Sequence, residues 1–194
     1  MILASFSWTT ALANSEQPWT THIATNEGFS FSTPSNWTRY DPTKSANSPM
    51  GDIKVTSPND ANGKSIMFFV SVDPDLKRTN FYDFVRYMEE VTHQATANRH
   101  AEFLRHETGT HASGCPWTVF ESITKESGTT NYVAMIILAP PERRFLIGTA
   151  IAPSTISDGD KEILTRIYST IRTIEQPNKA LQAIGAKARL QPER

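Results

Sequence analysis

Cysteine is nearly absent: Cys115 stands alone in 194 residues, so the chain holds no internal disulfide and no multi-cysteine zinc site. Long hydrophobic runs are missing too, and nothing approaches the roughly 18 apolar residues that a membrane-spanning helix requires. Neither sign of charge is in surplus. Lys and Arg number 19 against 20 Asp and Glu, for a formal net charge of −1, and no basic excess points to nucleic acid. A glycine-rich phosphate loop does not occur, nor does a G-x-S-x-G elbow, so nucleotide use and hydrolase chemistry have no motif to stand on. No internal repeat is visible. What is present, 38% hydrophobic and 20% charged residues, is too apolar and too evenly charged for a disordered chain, and the length suits one domain with at most a tail.

The first 13 residues carry no charged side chain. Ile2, Leu3, Ala4, Phe6 and Trp8 form a short apolar run, and Ala11-Leu12-Ala13 fits the small-x-small pattern that signal peptidase accepts. Polar residues Asn14 to Gln17 follow. The expectation is a signal peptide over 1–13, with Ala11 and Ala13 at the cleavage site and an exported product, periplasmic or secreted. The Lys or Arg that usually opens such a segment is missing. A start further upstream, or an ordinary apolar strand in a cytoplasmic protein, are the alternatives. No cysteine follows the run to accept a lipid anchor.

Phe29 and Phe31 alternate with Ser30 and Ser32, as in a half-buried strand. Asp52 to Ser57 is a short strand, and Asn62-Gly63 marks the tip of a hairpin, because both residues tolerate positive φ. Ser65 to Val72 is apolar on both parities (Ile66, Phe68, Val70; Met67, Phe69), which predicts a strand covered on both faces. Asn80 reads as an N-cap for a helix with the stripe Phe81, Phe84, Val85, Met88, Val91 and Ala95. Strands are expected near 102–108, 117–124, 132–139 and 144–151, the last three forming an antiparallel meander. A second helix follows from about Asp160 to Ile174, with the stripe Ile163, Leu164, Ile167, Tyr168, Ile171 and Ile174. The fold class is α/β (α+β): an α/β/α sandwich around a central, mostly antiparallel sheet, over residues 20–174, with a C-terminal tail over 175–194.

Gly28-Phe29-Ser30-Phe31, then Pro34, then Trp37, resembles the opening of PsbP-like and DcrB-like domains. The run Arg144-Phe145-Leu146-Ile147-Gly148-Thr149-Ala150, followed by a helix ending near Ile171-Arg172, is similar to their close. The resemblance covers about 22–174 and implies the same sandwich. It implies no catalytic motif and no cofactor, since few known members are enzymes. Members include extrinsic photosystem subunits, periplasmic lipoproteins, a Ran-binding import factor and chaperones of secreted effectors.

Candidate reactive groups read as structural. His100, His106 and His111, with Cys115 beyond, are spaced six, five and four apart, which matches no zinc finger. They read as exposed strand and turn histidines. Cys115 lies between Gly114 and Pro116, without a helix N-terminus to activate its thiol, and reads as a small buried side chain. Glu89, Glu90 and Glu121 form no acid–base pair by spacing, and Asp73-Pro74-Asp75 lacks the continuation of a calcium loop. Trp19, Trp37 and Tyr40 lie near a proline-rich loop that suits partner contacts, Trp37 itself reading as core.

These readings predict a non-enzymatic exported module with no metal or cofactor, acting on a protein partner at the cell envelope, with no nucleic acid and no membrane span. The alternatives are a cytoplasmic chaperone-like adaptor for secreted effectors and a thiol- or metal-dependent enzyme.

Overall fold

The computed structural model describes residues 17–25, 27–40, 53–72, 80–98, 100–126, 128–141 and 145–174. Ala11, Ala13, Asp73 to Asp75 and the segment 175–194 lie outside the described residues. In chain order the elements are β1 (Trp19–Ala24), β2 (Phe29–Pro34), β3 (Thr38–Arg39), β4 (Ile53–Thr56), β5 (Met67–Val72), α1 (Phe81–Ala97), β6 (Ala101–Thr110), β7 (Pro116–Glu126), β8 (Thr129–Leu138), β9 (Leu146–Pro153), α2 (Asp158–Thr170) and β10 (Arg172–Thr173).

Strand parity decides the layers. On β5, Phe68 and Val70 point to one side and Phe69 to the other, and all three are buried. β5 joins β4 through the Asn62-Gly63 turn, where Gly63 has φ +72°. The large sheet runs β3-β4-β5-β9-β8-β7-β6, antiparallel at every pairing. One face packs Val55, Phe68, Val70 and Ile136 against Phe29 and Phe31 of the small sheet and against Leu164, Ile167 and Ile171. The other face packs Phe120, Ile137 and Phe145 against Phe84 and Val85 of α1. The expected α+β sandwich is thus the observed one, with a helix over each face. Asn80 caps α1 as expected, its side chain accepting the Tyr82 N–H at 2.9 Å.

Two features differ from expectation. A second, three-stranded sheet, β1-β2-β10, accompanies α2 on the main core. α2 ends at Thr170, not Ile174, because Ile171 turns extended (φ −64°, ψ 125°) and the next two residues pair with Ser30 and Phe29 of β2. The open edge of β2 outcompetes the helical periodicity, a tertiary override of local pattern.

His22 on β1 is buried, with Nε2 2.8 Å from Thr33 Oγ1 and its ring 5.2 Å from Phe31. Burial, then the positive charge of Arg39, lowers its pKa below the ordinary 6.5. The unfolded chain therefore takes up this proton more readily than the folded one. The His22 contribution is complete above about pH 6.5 and is lost as the pH falls toward the lowered folded value. Urea unfolding of the wild type should weaken between pH 7 and pH 5, and His22→Gln should flatten that slope. Identical slopes for the two proteins would contradict the assignment.

Candidate functional site

Of the three sequence-selected histidines, His111 and His106 turn to opposite faces of the large sheet. His111, in the β6–β7 turn, is buried, which corrects its reading as exposed. Its Nε2 lies 3.0 Å from the Tyr168 carbonyl, an oxygen that can only accept, so this nitrogen carries the proton. Nδ1 then accepts from the Ser113 N–H at 3.1 Å and the Ser113 hydroxyl at 2.8 Å. Ser113 Oγ is left to accept the Cys115 S–H at 3.2 Å. The chain of donors ends on a carbonyl in the last turn of α2, the Tyr168 oxygen that also accepts the Ile171 N–H at 3.2 Å. His111 thus ties the turn to α2. Ser113 stands between the thiol and the imidazole, and Cys115 is only 3% exposed.

His106 points the other way. Its ring stacks on Phe120 at 4.3 Å, with Nε2 2.9 Å from Thr118 Oγ1 and Nδ1 3.1 Å from Glu89 Oε1. It is half-buried beneath α1, again not the exposed strand residue expected, because α1 crosses β6 at this point. His100 is exposed, before β6. Among the described residues, no three His, Cys, Asp or Glu side chains are grouped to hold a metal ion. Of the carboxylates, Glu89 meets His106, Glu90 is exposed, and Glu121 lies 3.4 Å from Arg105. Burial, and then Glu121, raises the Tyr132 phenol well above its usual range.

A cleft of about 260 Å³ forms where separate connections meet. The β4–β5 hairpin supplies one wall. Asp60 Oδ1 accepts the N–H groups of Asn62 and Lys64, each at 2.8 Å. Those bonds, the one from Lys64 foremost, hold the Asp60 carboxyl below its usual range. The β9–α2 connection supplies the opposite wall. Ser157 Oγ accepts the Asp160 N–H at 3.1 Å and donates to Asp160 Oδ2 at 2.7 Å, a reciprocal cap that fixes Asp160. Between them lie Trp37 and Ile66, both buried, and the partly buried Ile156 and Ile163. Gln17, where the described chain begins, lines the same cleft.

Of the aromatics near the proline-rich loop, Trp37 is core, as expected, and also lines the cleft. The other two are covered by cations: Arg166 lies 4.3 Å from the Trp19 ring, and Lys54 5.1 Å from that of Tyr40. Sequence reasoning did not select Asp60, Lys64, Asp160, Ile156 or Ile163. Their local signals were a turn at Asn62-Gly63, a Ser157-x-x-Asp160 cap and the helical stripe that holds Ile163, and none of these speaks of the others.

No protein-family model matches the sequence, and none of the curated proteins does. Solved structures match in shape. Cyanobacterial PsbP from Synechocystis is 16% identical, with 88% of this chain and 98% of that one covered, at a TM-score of 0.53. The Ran-binding protein Mog1p of Saccharomyces cerevisiae is 9% identical, with 82% and 97% covered, at 0.52. The chain has the fold that PsbP and Mog1p share, in line with the resemblance read at Gly28 to Trp37.

Proposed function

We propose that this chain is a non-enzymatic, exported binding or assembly module that acts on a protein partner at the cell envelope. The observation that carries the reading is the fold shared with Mog1p, a protein described as binding another protein, Ran. The geometry of the reactive groups supports it. Nucleophilic catalysis needs a base within reach of an accessible nucleophile. The Cys115 sulfur is buried and separated from His111 by Ser113.

Export rests on the small residues Ala11 and Ala13 behind an uncharged apolar run. The wild-type chain, isolated from cells that export it, should begin at Asn14. Ala13→Asp should keep its first 13 residues and not mature, because the peptidase pocket admits only small side chains. N-terminal sequencing and intact mass decide this. A wild-type protein that keeps its first 13 residues, or a variant that matures equally well, would reject export. Protein binding is tested by capture on the immobilised full chain from its own host, and capture of no protein would reject that part of the reading.

A further inference from the structure

We infer that the cleft between the β4–β5 hairpin and the start of α2 is the contact point for the partner, and that it takes one bulky apolar side chain flanked by Lys or Arg. The inference rests on the protein-binding reading above. Binding energy at protein interfaces concentrates in a few anchor side chains that fill desolvated pockets. A volume of about 260 Å³ lined by Trp37, Ile66, Ile156 and Ile163 offers such a pocket at single-side-chain scale.

The charge around it selects what flanks the anchor. Asp60 and Asp160 line the cleft with Lys64 as the opposing cation. Among the described lining residues two carboxylates therefore face one amine, and a complementary segment is basic. An anionic ligand meets the wrong sign. A bare metal ion finds no group of three ligating side chains among the described residues.

The test uses the full chain and a blocked heptapeptide, Gly-Ser-Lys-Phe-Lys-Ser-Gly, with two counterparts: Glu in place of both lysines, and Ala in place of the phenylalanine. Titrations followed at the Trp37 indole N–H by NMR should show saturable binding of the first peptide, at least tenfold tighter than either counterpart and weakened by salt. Thr155→Trp fills the cleft from an exposed position and should cost at least tenfold in affinity at an unchanged melting temperature. Lys64→Glu, also exposed, should tighten the same peptide severalfold, so the proposal remains testable if the first variant folds poorly.

Equal affinity for the Lys and Glu peptides, or shifts that leave Trp37 untouched, would overturn the proposal. So would self-association of the chain that Thr155→Trp abolishes, since a second copy would then be the occupant. If the captured host partner binds Thr155→Trp as well as wild type, the protein-binding reading stands and the cleft assignment falls. If the wild type captures nothing, the broader reading falls first.

Discussion

Phe68→Ala should destabilise the protein by about 3–5 kcal/mol, the range for an emptied aromatic core site. Phe68 has no exposed surface and joins three elements of the fold. Its ring meets Phe31 of the small sheet edge-on at 5.2 Å and Tyr168 of α2 at 5.9 Å, from a position on the large sheet opposite Ala150. Truncation removes the transfer free energy of the ring and leaves a void that two hydrogen-bonded sheets cannot close. Urea unfolding should show the loss, and melting should fall by about 2–4 °C per kcal/mol at this chain length. Tyr82→Ala is the control: Tyr82 is 73% exposed on α1, and the change should stay within about 0.5 kcal/mol. Comparable losses at both positions would mean that the core lies elsewhere.

Which parts of the fold were legible in the sequence follows from the range of the interactions involved. The β4–β5 hairpin was readable because its turn chemistry lies in two adjacent residues, Asn62 and Gly63. The α1 cap was readable because Asn80 bonds two residues ahead. Two-faced β5 was readable because burial on both sides leaves apolar residues on both parities. By contrast, β10 exists only because Arg172 and Thr173 meet Ser30 and Phe29, and no local pattern encodes a pairing across that distance. His111 has the same character: the carbonyl that buries it belongs to Tyr168, 57 residues away.

The cleft is the clearest case. Each contributing segment carries a signal of its own structure, a hairpin turn or a helix cap, while the space between the segments is a property of how α2 and the hairpin dock. The PsbP-like pattern at Gly28 to Trp37 reached one side of it, through Trp37. The carboxylates and Lys64 belong to connections outside the positions on which that resemblance rests.

Gly148 lies on such a position, and its replacement is expected to be costly for a reason that propensity alone reverses. Glycine within a strand is destabilising by roughly 0.5–1 kcal/mol relative to Ala, so a side chain there would ordinarily help. At this site a Cβ would lie 2.9 Å from Ile136 Cγ2, 3.1 Å from Phe68 Cζ and 3.2 Å from Ile171 Cδ1. The backbone of β9 cannot withdraw, because it is paired on both sides, with Val70 opposite on β5 and Ile136 opposite on β8. Ile136 is β-branched and stiff about χ1, and the other two side chains are buried in the same core. Gly148→Ala should therefore cost about 1–3 kcal/mol by overpacking, and Gly148→Val more. Ile136→Ala removes the nearest methyl, at its own cost of about 2–5 kcal/mol. The double variant Gly148→Ala with Ile136→Ala should be more stable than the sum of the single losses, by about 0.5–3 kcal/mol of coupling. Strict additivity in urea unfolding would show that the new Cβ finds room without displacing Ile136, and that the close approach of β8, β5 and the Ile171 turn at this glycine does not constrain the strand.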